Sequence, residues 1–226
     1  MSLGTPRVHH RRTGSTSVDA HALALAGAPH GTLVTAGEQL DGRGRQGRRW
    51  HAPPGSALLC SLLLREPPAL LSLTAGVAVA ELVGESATLK WPNDVLLDGR
   101  KVSGVLVEGR PQERWAVLGI GVNVAVALDA LPEELRDSAG TLGLGPEAIE
   151  PMLERLLALL DDWLIRPAPQ TLAAWRARDA LLGRELAWSG GHGAGAGIDE
   201  RGRLLVRTDV GQLALDAGEV HLLGGR

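Results

Sequence analysis

Several residue types are scarce or missing in this chain of 226 residues, and each absence excludes a class of protein. A single cysteine, Cys60, rules out an intramolecular disulfide framework and any zinc site built from clustered cysteines. No apolar run reaches the roughly 18 residues that a membrane helix needs. The formal net charge of -3 creates no overall field for binding a polyanion. These limits predict one or two globular domains with a sizeable core and no membrane partner.

Aromatic residues other than tryptophan are absent, and lysine and asparagine are rare. The chain has no Phe and no Tyr, so six Trp supply its aromatic surface. It keeps only Lys90 and Lys101 beside its arginines, and only Asn93 and Asn123. A compact ammonium and a planar guanidinium do not fit the same site. Because three of these four rare residues lie between positions 90 and 101, that segment is favoured as functional; codon bias with chance grouping is the alternative.

The first residues carry basic side chains, with no apolar segment behind them. We therefore predict no secretory signal and a cytoplasmic protein. Residues 1–14 are expected to form a short arm or an edge strand.

Hydrophobic patterning predicts an α+β fold, with a mixed sheet flanked by helices over residues 1–182. The expected elements are a helix from Ser15 to about Gly27, a strand at 32–36, a loop at 37–55, a buried strand at 56–64, a helix at 69–84, a meander of strands up to 124, and helices at 146–165 and 168–181. From Gly183 onward, short strands alternate with Gly and Asp turns. This pattern predicts a second domain, a small β-barrel at 183–226 that leans on the larger one. Within it, 190–197 is expected to be a glycine-rich hairpin, with His192 in a loop and not a ligand.

The long loop contains Gly42, Gly44 and Gly47 at the spacing of the dinucleotide-binding fingerprint. That fingerprint must follow a strand and open a helix. Here the segment runs into Pro53 and Pro54, which cannot continue a helix. The protein-kinase and Walker interpretations also fail, because the other motifs they require are missing.

Four arginines on this glycine backbone instead suit an anionic ligand. Arginine offers bidentate, permanently charged donors, and glycine lets successive N–H groups approach an anion. Because the charges repel one another, we expect the loop to be mobile when empty and to close over a polyanionic ligand. The arginines are Arg43, Arg45, Arg48 and Arg49. A solvated basic loop and an RNA-binding Arg/Gly segment are the alternatives.

A second charged element surrounds the two lysines. Lys90 and Asp94 precede a hairpin turn at Asp98 and Gly99, and Lys101 follows it. We expect the lysines on neighbouring strands, facing one pocket. Two ammonium groups would stabilise a phosphoryl transition state, and Asp94 could hold a magnesium ion. A surface hairpin with an ion pair is the alternative.

Together these motifs resemble the bacterial biotin–protein ligases. GRGRQGRRW at 42–50, KWPNDVLLDGRKVSGVLVEG at 90–109 and GIGVNV at 119–124 occur in the family's order and spacing. The resemblance implies a class II synthetase-like ligase domain followed by an SH3-like barrel. It also implies that biotin and ATP, with Mg²⁺, form biotinyl-5′-AMP. The biotin then passes to one lysine of the biotin carboxyl carrier domain of a carboxylase.

The same resemblance implies a set of site residues. Those implied to act in catalysis are Lys90, Lys101, Arg43 and Arg45. Those implied to contact biotin or the adenylate are Ser15, Thr16, Ser17, Gln39, Arg43, Gly44, Arg45, Trp50, Lys101, Gly104, Gly119, Gly121 and Asn123. Asp94 is the implied metal contact.

Three departures from the family pattern stand out. Ser17 occupies a position where the family usually has Asn, and Asp41 one where Ala is common. Only 14 residues precede Ser15, too few for the winged helix of members that also repress transcription. We therefore expect a ligase-only form without a DNA-binding domain, and leave a homodimer open. The alternative functions are a lipoate–protein ligase and a non-catalytic Arg/Gly nucleic-acid-binding module.

Overall fold

A seven-stranded mixed sheet forms the larger part of the molecule. The computed structural model describes residues 3–216, 218 and 220–223, with only the main chain at positions 110 and 111. The sheet contains β1 Arg7–His10, β2 Leu33–Ala36, β3 Ala57–Arg65, β4 Thr88–Lys90, β5 Asp94–Leu97, β6 Arg100–Arg110 and β7 Trp115–Asn123. Their order is β1-β2-β3-β7-β6-β5-β4, and only the β1–β2 pair is parallel. The segment before Ser15 thus forms an edge strand, one of the two outcomes expected for it.

Helices cover both faces of this sheet. They are α1 Thr16–Leu25, α2 Leu71–Val83, α3 Glu133–Arg136, α4 Ile149–Leu164 and α5 Ala168–Arg176. On β3, Leu62 packs into the core cluster of α2, α4 and α5, whereas Leu63 packs into the cluster of α1. Because neighbouring side chains on a strand point to opposite faces, burial on both sides explains the almost wholly apolar sequence of β3. No helix within the described ranges is long and apolar enough to cross a membrane.

The second sheet contains the C-terminal strands. They are β8 Glu185–Trp188, β9 Gly191–Ile198, β10 Leu204–Thr208, β11 Gly211–Leu215 and β12 His221–Leu222, in the order β11-β10-β9-β8-β12. All the described pairs are antiparallel. The predicted fold class, a mixed sheet flanked by helices with a small C-terminal β-unit, is confirmed. The pairing described for residues up to 223 does not join β11 to β12, and the boundary at residue 183 stays a prediction.

The glycine-rich segment at 190–197 is mostly strand. His192 lies exposed on β9 and pairs with Ala187, so the loop expected at this residue was wrong. A Cβ at Gly195 would overlap the Leu181 carbonyl, and one at Gly193 would overlap the Arg207 carbonyl. The glycines therefore permit close backbone packing of a strand.

The two sheets are joined by a continuous apolar core. Residues of the C-terminal unit, among them Leu186 and Val206 of the second sheet and Val220 just before β12, belong to the same buried cluster as the helices of the larger unit. The Trp91 indole donates a hydrogen bond to the Gly202 carbonyl at 3.0 Å. The expectation that the C-terminal unit leans on the larger one is confirmed by these contacts.

One helix is shorter than the sequence predicts. α5 ends at Arg176, not at residue 181. The chain beyond it pairs with β4: Leu89 N–H donates to the Arg178 carbonyl at 2.7 Å, and Ala180 N–H donates to the Leu89 carbonyl at 2.9 Å. Because these bonds satisfy the backbone of an edge strand, they compete successfully with one more helical turn. The short helix α3 was not predicted.

Candidate active site

A cavity of about 440 Å³ opens above the central strands. It brings together most of the residues predicted for the site. These are Thr16, Ser17, Gln39, Arg43, Gly44, Arg45, Trp50, Lys90, Asp94, Lys101, Gly104, Gly119 and Gly121. The other two, Ser15 and Asn123, do not line it. His221 and Leu222 of the second sheet complete the wall.

The start of α1 forms a polar cluster at one end of this cavity. The Gln39 Oε1 accepts hydrogen bonds from the Thr16 backbone N–H at 2.7 Å and from its hydroxyl at 3.0 Å. The Ser61 hydroxyl on β3 lies 2.8 Å from that of Thr16 and 3.1 Å from that of Ser17. These groups are linked within a buried region, so they can bind a small polar ring without a net charge.

Ser15 caps α1 in an extended conformation, but its hydroxyl forms no capping bond. This buried oxygen has no hydrogen-bond partner among the described residues. Its contact with biotin therefore stays a prediction. Sequence analysis missed Ser61; the available signal was a serine inside an otherwise apolar buried strand.

Two glycines lie beneath the indole of Trp50, and a third lies beneath the Ser17 hydroxyl. A Cβ at Gly121 would lie 2.6 Å from Trp50 Cε2, and one at Gly104 would lie 3.1 Å from Trp50 Cζ3. A Cβ at Gly119 would lie 2.8 Å from the Ser17 hydroxyl. At these three glycines the close neighbours are therefore the protein's own Trp50 and Ser17 side chains. The Trp50 N–H is buried without a hydrogen-bond partner in the described part of the chain.

The arginine loop closes on itself through a few backbone bonds. Trp50 N–H donates to the Gly42 carbonyl at 2.8 Å, and Gly44 N–H donates to the Arg48 carbonyl at 2.7 Å. Gln46 between them adopts φ 56° and ψ 38°, in the left-handed region. The start of the loop is attached to the chain before α1, because Leu40 N–H donates to the Thr13 carbonyl at 2.9 Å and Asp41 N–H donates to the Gly14 carbonyl at 2.8 Å.

Three of the loop arginines have partners within the protein. Arg49 Nη2 lies 2.9 Å from Asp41 Oδ1, so Asp41 balances one of the four positive charges. Arg43 Nη1 lies 3.5 Å from Glu108 Oε1. Arg45 Nη1 donates to Asn93 Oδ1 at 3.4 Å. None of these pairings was predicted from the sequence: the rarity of asparagine was a usable signal for Asn93, and no signal pointed to Glu108.

The two lysines lie on either side of β5. Lys90 ends β4 and Lys101 is on β6, so the expectation that they occupy neighbouring strands was wrong. Both nevertheless line the same cavity. Lys101 Nζ forms an ion pair with Asp94 Oδ1 at 2.6 Å and lies 5.7 Å from the centre of the Trp50 ring.

A register shift explains how Lys101 reaches Asp94. The pairing of β5 with β6 slips between Val95 and Leu96, so that Asp94 pairs with Gly104 while Leu96 pairs with Lys101. An extra residue of this kind re-aims the side chains that follow it. The irregularity places an ammonium and a carboxylate side by side within the cavity.

Asn123 has a structural role at the end of β7. Its side-chain N–H donates to the Gly140 carbonyl at 2.9 Å, and the residue is 4% exposed. This bond ties β7 to the segment that follows it. The adenylate contact implied for Asn123 stays a prediction.

Cys60 lines the cavity but cannot serve as a nucleophile at neutral pH. Burial raises the pKa of its thiol to about 12. The reactive form of cysteine is the thiolate, which is negligible far below that value. Any bond-forming step in this cavity must therefore begin on a ligand atom or on another side chain.

Comparisons with known proteins agree with this geometry. Residues 10–124 match the biotin/lipoate A/B protein ligase family, and residues 192–223 match the biotin protein ligase C terminal domain. The biotin–[acetyl-CoA-carboxylase] ligase of Paracoccus denitrificans is 35% identical, over 94% of this chain and 99% of that one. The bifunctional ligase/repressor BirA of Bacillus subtilis is 32% identical, over 97% of this chain and 75% of that one.

A solved structure shows the same fold. The biotin protein ligase of Aquifex aeolicus, in complex with biotin and ATP, has a TM-score of 0.80 and 28% identity, covering 98% of this chain and all of that one. The fold and the cavity thus define a member of the biotin/lipoate A/B protein ligase family. Within that family, the chain belongs to the biotin protein ligases. This assignment favours the biotin ligase interpretation over the lipoate and nucleic-acid-binding alternatives.

Proposed function

We propose that this protein is an ATP-dependent biotin–protein ligase that forms biotinyl-5′-AMP and transfers biotin to a lysine of a carrier domain. The main support is the single cavity that joins a neutral hydrogen-bonding cluster at Thr16 and Gln39 to a cationic end at Lys90 and Lys101. Biotin has a neutral ring and an anionic tail, and ATP is a polyphosphate. This pair of reactants matches a cavity that is neutral at one end and cationic at the other.

In the first step, a carboxylate oxygen of biotin attacks the α-phosphorus of ATP. The new P–O bond forms while the bond to the β-phosphate oxygen breaks, and pyrophosphate leaves. Two unit negative charges at 4 Å repel each other by about 4 kcal/mol at an effective dielectric constant near 20. Lys90, Lys101, Arg43 and Arg45 are the cationic side chains that we assign to offset this repulsion and hold the reactants in line.

Before the reactants bind, the Lys101 ammonium is paired with the Asp94 carboxylate. Its ion pair with Asp94 must loosen before the ammonium can bind the anionic reactants. Asp94 also fits the magnesium that accompanies ATP, because Mg²⁺ takes one or two protein carboxylates and completes its shell with phosphate oxygens and water. No group of three His, Cys, Asp or Glu side chains in the described ranges could hold a metal by itself. We assign Asp94 as a protein ligand of Mg·ATP.

In the second step, the neutral amine of the carrier lysine attacks the acyl carbon of biotinyl-5′-AMP. The amide C–N bond forms, the C–O bond to the phosphate breaks, AMP leaves and the amine proton is lost to solvent. The mixed anhydride also reacts with water, so the cavity must stay closed until the carrier docks. The arginine loop is the element that we assign to this closure.

The remaining assignments follow the same proposal. Ser15, Ser17, Gly44, Gly104, Gly119, Gly121 and Trp50 are proposed to contact biotin or the adenylate, and Asn123 the adenylate. The protein partner is the biotin carboxyl carrier domain of a carboxylase, and we place the reaction in the cytoplasm. A homodimer stays a prediction.

The decisive experiment combines the protein with biotin, Mg·ATP and a carrier domain, followed by streptavidin blotting and a pyrophosphate assay. A carrier with its target lysine changed to arginine and a reaction without ATP are the controls. Labelling that needs both ATP and the target lysine supports the proposal. Pyrophosphate release with lipoate but not biotin would instead identify a lipoate–protein ligase.

A further inference from the structure

A carboxylate beside the arginine loop is left incompletely paired. Glu108 lies on β6 opposite Val117 of β7, and its side chain is 30% exposed. Its Oε2 is buried and accepts no hydrogen bond from any described residue. The neighbouring His21 Nε2 lies 3.7 Å away, beyond hydrogen-bond distance. His21 itself packs edge-on against Trp115, with ring centroids 5.2 Å apart.

The other oxygen of this carboxylate faces the loop. Glu108 Oε1 lies 3.5 Å from Nη1 of Arg43, the first arginine of the loop. A half-buried carboxylate with an unbonded oxygen is costly, so a closer approach by a guanidinium is favourable. Arg43 lines the cavity and Glu108 does not, so a closer contact between the two side chains would hold the start of the loop at the edge of the cavity.

A guanidinium can serve two anions at once. Its five N–H groups form a planar fork, so one edge can bind a carboxylate while another binds a phosphate oxygen. Arg43 lines the cavity and contacts Glu108 from the same position. Fixing one edge reduces the rotamer freedom that the side chain would lose when it binds a ligand.

We propose that Glu108 is a positioning residue for Arg43: it anchors the first arginine of the loop over the cavity and thereby slows release of the bound acyl-adenylate. The role in adenylate retention rests on the proposed ligase function. The anchoring itself is a property of the free protein and can be measured without ligand.

The first test uses the free protein. Glu108→Gln keeps the shape of the side chain but removes its charge. We expect trypsin to cut after Arg45, Arg48 and Arg49 about two- to fivefold faster in this variant, the effect of losing a partly exposed ion pair. The matched control is Glu66→Gln, which breaks an exposed ion pair with Arg114 at 3.1 Å, outside the loop. Equal loop cleavage in the two variants would overturn the anchoring.

The second test measures retention, with a non-hydrolysable biotinyl-adenylate analogue as the probe. Glu108→Gln should release the analogue about two- to fivefold faster while kcat for pyrophosphate release stays within about twofold of the parent. In an Arg43→Ala background the same change should have no further effect on release, because Glu108 acts only through Arg43. Additive effects of the two substitutions would overturn the proposal.

The outcomes separate this inference from the proposed function. If the parent protein releases no pyrophosphate with biotin and ATP, the ligase function fails, and the cleavage test still decides the anchoring. If pyrophosphate is released but Glu108→Gln behaves like Glu66→Gln in both tests, the ligase function stands and the anchoring role of Glu108 is wrong.

Discussion

The floor of the cavity and the loop above it both line the ligand space, but they are held in place in very different ways. The floor consists of β3, β6 and β7, which pair continuously, from Ala57–Asn123 to Arg65–Trp115 in one ladder and from Ser103–Val122 to Arg110–Trp115 in the other. The loop at 37–55 has a few backbone bonds and side-chain contacts at exposed positions. The difference teaches that the two regions have separate tasks. Groups that must be placed accurately extend from the sheet, whereas groups that must open and close are carried by the loop.

The largest expected effect comes from removing a charge that the sheet places. Lys101→Ala should lower the rate of biotinyl-adenylate formation by at least about a hundredfold, because it removes the ammonium that we assign to the phosphoryl centre. Pyrophosphate release measures this rate, and circular dichroism checks the fold. Arg100→Ala removes a neighbouring positive charge at an exposed position and should keep normal activity. A Lys101→Ala enzyme with normal pyrophosphate release would show that the sheet does not carry the chemistry.

A change in the loop should instead affect how long the protein retains biotinyl-5′-AMP. Arg45→Gly should still form biotinyl-5′-AMP but release it roughly ten- to a hundredfold faster, since one charge-assisted contact contributes about 1.5–3 kcal/mol. The readout is mass spectrometry of biotinylated lysines on serum albumin, without a carrier. Arg49→Gly is the matched control, because it adds the same backbone flexibility at a residue that is paired with Asp41. This variant should release less biotinyl-5′-AMP than Arg45→Gly. If albumin labelling by Arg45→Gly does not exceed the parent at equal adenylate production, the loop does not retain the product.

A methyl group added to the floor of the cavity should weaken biotin binding moderately. Gly121→Ala would place Cβ 2.6 Å from Trp50, whereas Gly109→Ala on the neighbouring strand would meet nothing closer than 3.6 Å. Overpacking of this kind costs about 1–3 kcal/mol, so we expect roughly tenfold weaker biotin binding in Gly121→Ala. Isothermal titration calorimetry of both variants measures the difference. Equal biotin affinities would mean that the indole moves away without cost.

The smallest effect should come from a residue outside both regions. Burial raises the pKa of Asp179, between α5 and the second sheet, and backbone hydrogen bonds from Leu181 and Leu182 only partly oppose this. Because the folded pKa lies above the unfolded one, the folded state binds a proton more tightly, and this carboxyl's contribution to stability falls as pH rises between the two values.

Asp179→Asn removes that dependence. The variant should unfold at the same temperature as the parent or a higher one at pH 7, and should lose this advantage below the usual carboxyl pKa. Thermal unfolding at pH 3.5 and pH 7 measures both, and ligase activity should not change. The difference in unfolding temperature between the variant and the parent is compared at the two pH values. If this difference is less favourable to the variant at pH 7 than at pH 3.5, the pKa of Asp179 is not raised in the folded state.

Much of the fold could be predicted because local patterns decided it. The nine-residue strand β3 is apolar except at Ser61 and Arg65 because it is buried on both faces, and Ser15 precedes α1 at the position of a helix cap. Long-range competition could not be predicted. The end of α5 depends on backbone bonds to Leu89, a strand distant in sequence, and His192 lies in a strand because glycines allow close packing there.

The candidate site divides in the same way. Rare lysines and clustered arginines in the sequence pointed to the cationic residues of the cavity, and the resemblance to the biotin–protein ligases implied Thr16, Gln39 and the glycines. The partners of those residues depend on tertiary contacts. The bulge that joins Lys101 to Asp94 and the approach of Glu108 to Arg43 come from strand register and loop path, which composition does not encode.

Hydrogen exchange with and without ligand tests the division between floor and loop most directly. The protein is measured alone and then with biotin, Mg²⁺ and a non-hydrolysable ATP analogue. We predict that amides at 42–49 exchange at least about tenfold more slowly with ligand, whereas those of Ala57–Arg65 and Trp115–Asn123 are protected in both states. Loop exchange that is unchanged by ligand, or slowing of equal size in the floor, would contradict the account.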